Sequence, residues 1–271
     1  MFVDVNTYVG HWPFRKLTHN SLEQLDLLAR EYDITHMVVA NIEGFFYKDA
    51  NQANLSLLSE WKRYRGATVF LPLAIVNPTY PEWERDAREM IQAGFAGLEI
   101  APYYHFYSFG PEPVPDGYEH PAGLVLKLAK ELDVPVRVCT SIENYRARSK
   151  YERDNNPTAS EIYQLLWSEP DAHVFVTGFH PGNMTQELKA LVRRRKNTYF
   201  DLTAMAYAAL KTDGVSEALD HIDISQLCYG SLSPLQYMEP TMITLAYEPK
   251  LDAEIVKNAP ARAFKRWMSR N

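Results

Sequence analysis

GLEI at 97–100, AGLVLKLAKEL at 122–132 and VPVRVCT at 134–140 form one strand–helix–strand unit, and the rest of the chain repeats it. Toward the N-terminus, apolar runs at 2–5, 35–39 and 68–74 read as strands. Helices lie between them: one over 22–31, with Asn20 or Ser21 as its N-cap, and one that follows a polar segment with Asn51 and Asn54 and ends near Tyr64. A third helix over 81–93 is stopped by Gly94. Toward the C-terminus, strands at 174–177, 199–202 and 227–229 alternate with helices over 159–167 and 185–194. The last helix spans 253–268, and a long aromatic and proline-rich loop occupies 102–121.

Eight strands separated by helices predict a parallel sheet, and right-handed crossovers close eight such units into a single-domain (β/α)8 TIM barrel over 1–271. A doubly wound sheet is the alternative. It usually carries a glycine-rich phosphate turn after the first strand, and here the segment Asn6-Thr7-Tyr8-Val9-Gly10-His11 has a single glycine.

With 46% hydrophobic and 23% charged residues, the composition is that of an ordinary folded domain. A net charge of −6 argues against nucleic acid or an anionic membrane as partner. The one basic run, Arg193-Arg194-Arg195-Lys196, reads as the solvated end of a helix. Cys139 and Cys228 lie in separate apolar segments and are expected as reduced thiols. The first residues lack the pattern of a signal peptide, and no apolar run is long enough to span a bilayer, so the cytoplasm is the expected location.

In a barrel, chemistry is sought where the C-terminal strand ends converge. Those positions hold Asn6, Tyr8, His11, Trp12 and Arg15 after the first strand, and Asn41 and Glu43 after the second. Asn77 follows the third, while Glu99, Tyr103, Tyr104, His105 and Tyr107 belong to the fourth. The later strands supply Arg137, Cys139 and Ser141, then Thr177 and His180, Asp201 and Thr203, and Ser231 and Ser233. His11, His105 and His180 are acid–base candidates because free imidazole titrates near neutrality. Asp4 and Asp201 join them as carboxylates. Arg15 and Arg137 can grip an anion with two-pronged contacts, and Tyr8 can donate to a developing oxyanion. Asn6, Trp12, Glu99, Tyr104, Tyr107, Cys139 and Ser231 complete the expected substrate contacts. Structural roles compete throughout: Glu99 and Arg137 also suit an internal ion pair, Cys139 a small buried apolar residue, and His105 an aromatic plug.

Several stretches resemble the amidohydrolase-related family, the branch with decarboxylases and lactonases. VDVNTYVGHWPF resembles its D-x-H-x-H strand-one segment, and GFAGLEIAPYYHFY its strand-four segment with the aromatic loop. VPVRVCTS resembles P-V-x-x-H-T-G, FVTGFHPG the H-x-G segment, LCYGSLSP the G-S-D-x-P segment, and EIVKNAPARAF the closing N-A-x-R-x-F helix. The resemblance covers nearly the whole chain in order. It implies a TIM barrel and a divalent metal held by histidines of strands one, five and six and an aspartate of strand eight. The chain departs from that set: Asn6 and Tyr8 replace the first two histidines, Cys139 the third, and Leu232 the aspartate. The strand-six register allows either His180 or Phe179.

Leucine offers no ligand, and asparagine or neutral tyrosine serves a transition metal poorly. No catalytic metal and no cofactor are therefore expected. The expected function is a metal-independent, amidohydrolase-like enzyme of hydrolase, lactonase or isomerase type, acting on a small carboxylated molecule. The alternatives are an inactive relative kept as a ligand-binding or partner-binding protein, and a metal held after all by Cys139, His180 and a carboxylate. The oligomeric state is left open, a homo-oligomer included.

Overall fold

The computed structural model describes residues 1–107, 109, 120–142, 149, 157–209 and 214–268. Its strands are β1 (Val3–Val9), β2 (His36–Asn41), β3 (Val69–Ile75), β4 (Gly97–Ile100), β5 (Val136–Cys139), β6 (Val174–Thr177), β7 (Thr198–Asp201) and β8 (Leu227–Cys228). All neighbours pair in parallel, in the order β1 to β8. The sheet closes on itself: Val5 N donates to Tyr229 O at 3.0 Å, and Tyr8 N to Ser233 O at 2.8 Å. This is the (β/α)8 barrel that the repeating pattern predicts, and those bonds cover the edges that β1 and β8 would otherwise expose.

The helices between the strands are α1 (Leu22–Glu31), α2 (Asn51–Arg63), α3 (Trp83–Gln92), α4 (Pro121–Glu131), α5 (Ala159–Ser168) and α6 (Gln186–Arg194). Ser21 is the cap of α1, accepting from Gln24 N, while Asn20 instead ties the loop after β1 by donating from Nδ2 to Gly10 O at 3.2 Å. Thr158 and Glu161 form a reciprocal capping box on α5. Asn54 makes two backbone bonds to Ile75, both at 2.9 Å, and so locks α2 to the end of β3. At the turn after β6, Gly178 has φ +75, and a Cβ there would stand 2.4 Å from Ser141 O. Only glycine fits that close crossing of two strand ends.

Apolar residues form two layers. One, with Leu25, Leu98, Val136, Val174 and Leu188, fills the space between strands and helices. The other, with Val5, Val38, Leu71, Leu73, Phe175 and Tyr199, fills the barrel interior. Phe264 closes the interior from below, its ring 5.4 Å from that of Phe175, which in turn stacks on Tyr199 at 4.6 Å.

Several boundaries differ from those expected. β1 runs on to Val9, so Asn6 and Tyr8 are strand residues, accommodated by a register irregularity between Asp4 and Thr7. Three helices escape the periodicity reading: α7 (Thr203–Ala209), α8 (Gly214–Leu219) and α9 (Glu239–Tyr247). The helix expected over 253–268 breaks into α10 (Ala253–Asn258), a tight turn at Ala259–Arg262 and α11 (Lys265–Met268). Pro260 has no backbone N–H to continue the helical ladder. The basic run 193–196 is not uniformly solvated. Arg195 is only 5% exposed and donates to Leu166 O, Glu169 O, Ala172 O and Thr198 Oγ1. A guanidinium near the start of β7 satisfies carbonyls that the C-terminal end of α5 and the loop after it leave open. Part of the expected aromatic loop, 108 and 110–119, lies outside the described residues. Among the described residues no helix is long and apolar enough to cross a membrane.

Candidate functional site

The barrel throat holds a self-contained ionic cluster. Arg137 is 1% exposed and Glu99 0%. Arg137 donates from Nε to Glu99 Oε1 at 3.0 Å and from Nη2 to Oε2 at 2.7 Å. Its remaining N–H groups reach Val5 O at 2.8 Å, Val38 O at 3.0 Å and Thr7 O at 3.4 Å. A guanidinium has five N–H donors, and all five are engaged. Tyr8 donates from Oη to Glu99 Oε1 at 2.7 Å, and its ring lies beneath the guanidinium carbon at 4.6 Å. Burial alone would pull the Arg137 pKa down, but the Glu99 carboxylate overrides it and holds the charge. Burial pushes the Tyr8 hydroxyl well above its usual range. Arg137 was expected to grip an anionic substrate; here its donors belong to the barrel.

Beside the throat, Asp201 at the end of β7 meets Asn6 of β1. Asp201 Oδ2 accepts from Asn6 Nδ2 at 2.9 Å and from the Thr203 hydroxyl, and Oδ1 accepts from Gly178 N at 2.9 Å. A Cβ on Gly230 would stand 2.6 Å from Asp201 Oδ2, so this residue must stay small for the carboxyl to sit here. Asp4 Oδ1 accepts from Asn6 N at 3.0 Å and Ser231 N at 3.1 Å. Two buried oxygens in this group, Asp4 Oδ2 and Asn6 Oδ1, have no partner among the described residues. Burial raises the Asp201 pKa, and burial with the added repulsion of Asp201 pushes Asp4 up to about 7. Desolvation penalises the charged form, so both carboxyls are drawn toward the protonated state. Thr203 also lies 2.9 Å from Gly230 O. With Asp201 ionised the Thr203 hydroxyl donates to it. With Asp201 protonated the hydroxyl accepts from the acid and donates to Gly230 O. Both states are satisfied, which is what a proton-handling group requires.

A third group is aromatic. The Trp12 ring stands 5.3 Å from Phe14, 5.3 Å from Phe46 and 6.3 Å from Tyr104, and Tyr104 stacks on Phe45 at 5.2 Å. These residues follow β1, β2 and β4, so the wall stands at the C-terminal end of the barrel. The buried Trp12 Nε1 and Tyr107 Oη have no partner among the described residues.

The remaining expected residues are dispersed. His105 is buried, with Nε2 2.9 Å from Gly44 O, and burial lowers its pKa. That contact fastens the loop after β4 to the turn after β2. His11 is exposed, and its backbone N–H donates to Glu43 Oε1 at 2.9 Å. Arg15 is exposed and donates to Leu235 O. His180 is half-buried, and its Nδ1 accepts from Gly182 N at 3.1 Å, which leaves Nε2 as the end that carries the proton in the neutral ring. Ser231 Oγ accepts from Ser233 N at 3.0 Å. Gly178, Gly230, Phe45 and Phe46 enter the site unannounced by the sequence. A glycine just past each of two strands was the legible signal for the first two.

The positions that the family resemblance assigns to a metal hold poor donors. The Tyr8 hydroxyl keeps its proton and donates a hydrogen bond to Glu99. Burial, with Glu99 adding to it, pushes the Cys139 thiol far above its usual range and keeps it protonated. The amide nitrogen of Asn6 is tied to Asp201. Leu232 is buried with φ +58, a left-handed conformation that suits aspartate or asparagine better than leucine. Phe179 is buried against Phe200. Among the described residues no three His, Cys, Asp or Glu side chains are grouped to hold a metal ion.

The fold and the strand-end site define a (β/α)8 barrel with a polar interior at its C-terminal end. No family model and no curated protein matches the chain. Solved structures do. A 2,6-dihydroxybenzoate decarboxylase from Rhizobium is similar with TM-score 0.66 and 14% identity, covering 98% of each chain. A dihydroxybenzoic acid decarboxylase from Polaromonas, solved with manganese and 2-nitroresorcinol, gives 0.68 at 12% identity over 97% of this chain and 96% of that one. Amidohydrolase 2 from Bifidobacterium longum gives 0.58 at 14% identity over 98% and 99%. At such identities the likeness is one of fold.

Proposed function

We propose that the chain is a divergent amidohydrolase-like barrel enzyme that acts without a resident metal on a small carboxylated molecule. The reading rests on one observation: two buried carboxyls of raised pKa, Asp4 near the start of β1 and Asp201 at the end of β7, lie against Asn6, and Asp4 Oδ2 and Asn6 Oδ1 have no partner among the described residues. Buried polar atoms are nearly always paired, and perturbed carboxyls gather at working sites. Asp201 holds or moves the proton at Oδ2, with Thr203 satisfying either state. Asn6 Oδ1 accepts from a hydroxyl or carboxylic acid of the substrate. Trp12, Phe46 and Tyr104 supply an aromatic wall, and His180 supplies a second acid–base group. The reaction class is hydrolysis of a lactone-like ester or a proton transfer at carbon. Two of the structural neighbours are decarboxylases of dihydroxybenzoic acids, which favours a carboxylated ring as substrate.

The test is a screen of lactones and hydroxybenzoates with chelator-treated protein of measured metal content. Turnover should persist below about 0.1 equivalent of metal. Asp201→Asn should cut kcat by about 100-fold or more, the usual range for a lost acid–base group, with the melting temperature kept. A second reading, a ligand-binding relative without turnover, is favoured by the throat, where Tyr8, Glu99 and Arg137 satisfy one another. Saturable binding of the same compounds with no turnover would select it. Activity that appears only on adding metal would reject the metal-free reading.

A further inference from the structure

The opposite end of the barrel carries a feature that the strand-end chemistry does not use. Between the N-terminal ends of β6 and β7 and the chain's last turn lies a cleft of about 560 Å³. Its lining includes Arg194, Arg195, Lys196, Arg262 and Lys265, against the single carboxylate of Asp171. Asp171 is already 3.2 Å from Lys130, and Lys196 is 3.3 Å from Asp223. In a chain of net charge −6, this concentration of cations runs against the average.

The floor is built rather than incidental. Arg195 is buried, and its four bonded acceptors, the carbonyls of Leu166, Glu169 and Ala172 and the hydroxyl of Thr198, are all neutral. Among the described residues no carboxylate oxygen bonds Arg195 directly, and Glu169 and Asp171 act on it only through space, so part of the guanidinium charge remains to face the cleft. Beside it the His173 ring stacks on Tyr199, with centroids 6.2 Å apart, and the buried His173 Nδ1 has no partner among the described residues. Arg262 donates to Ser225 O at 3.2 Å and lies 5.9 Å from the Tyr199 ring centroid. Arg194 and Lys265 are exposed at the rim.

We propose that this face binds a small phosphate ester, with Arg194, Arg262 and Lys265 around the phosphate, Arg195 beneath it, and the organic part against Tyr199 and His173. Guanidinium forks match phosphate oxygens, and a desolvated cation rewards a dianion more than a neutral group does. The cleft is larger than one phosphate ion needs, which leaves room for the organic part. His173 offers a built-in reporter. Burial lowers its pKa, Asp133 opposes that, and Arg262, Arg195 and Lys265 lower it further. A bound dianion offsets those three cations and moves the His173 pKa upward.

Calorimetry at low ionic strength with phenyl phosphate and inorganic phosphate tests this on the full chain. One phenyl phosphate per chain should bind, more tightly than inorganic phosphate. Arg194→Gln and Lys265→Gln should each weaken it about tenfold, as expected for one charge-assisted contact. Both side chains are exposed, so the fold should survive, and an unchanged melting temperature confirms that. The His173 ring signals, followed by NMR, should titrate at higher pH with phenyl phosphate present. The proposal is overturned by no binding, by unchanged binding when Arg194→Gln and Lys265→Gln are combined, by an unmoved His173, or by tighter binding of duplex DNA than of phenyl phosphate.

Discussion

Replacing Arg137 by methionine keeps most of the side-chain volume and removes the charge at the centre of the barrel. Glu99 is then left with Tyr8 Oη as its one bonded partner among those described, at 2.7 Å. The lost ion pair has its closest contact at 2.7 Å, from Nη2 to Oε2. With charges about 4 Å apart and an effective dielectric constant near 20, the Coulomb term is about 4 kcal/mol. Breaking a buried pair from one side costs about 3–5 kcal/mol, which agrees. Three backbone carbonyls also lose a donor, those of Val5, Thr7 and Val38. At about 2 °C per kcal/mol for a chain of this size, the melting temperature should fall by roughly 6–10 °C. Urea unfolding gives the free energy directly. The double variant Glu99→Leu/Arg137→Met removes both charges and should be more stable than Arg137→Met alone, because no uncompensated carboxylate remains. A loss under about 1 kcal/mol in the single variant, or strict additivity in the double, would refute the reasoning.

Three further outcomes follow from the same structure. Asp4 titrates at about 7 in the folded chain against an ordinary 3.8, so the folded state binds more protons between those values and stability falls as pH rises through that window. Asp4→Asn should flatten this fall, by up to about 1.4 kcal/mol per pH unit, in urea unfolding measured from pH 4 to 8. Cys139 and Cys228 are both buried, and burial pushes both thiols up, so a thiol reagent should label neither in the folded protein and both in denaturant. Arg195→Met should cost about 2–4 kcal/mol in the same unfolding assay, because it strips the carbonyls of Leu166, Glu169 and Ala172 of their shared donor.

How much of this was legible depended on whether the signal was local. The helix over 22–31 and the strands over 97–100 and 174–177 appear with the bounds their apolar patterns predict. The continuation of β1 was illegible because Asn6 and Tyr8 look like loop residues until Asp201 and Glu99, 195 and 91 positions away, are brought to meet them. The break at Pro260 was legible in principle, since proline removes a helical donor, but the apolar spacing over 253–268 masked it. Among the strand-end residues, residue type named the candidates and geometry sorted them. His105 and Arg137 are held by the fold, His11 is exposed, and Asp4, Asn6 and Asp201 are gathered.

The sequence by itself determined the order of eight strands and their parallel sense, because those follow from short-range periodicity and right-handed crossovers. Tertiary closure decided everything that depends on a distant partner or on exclusion of water. It set Arg137 against Glu99, buried Arg195 in a run that reads as solvated, and raised the carboxyls of Asp4 and Asp201. Pairing across a barrel is set by its shear, and desolvation by the whole surrounding shell, and neither is written in any single stretch of chain.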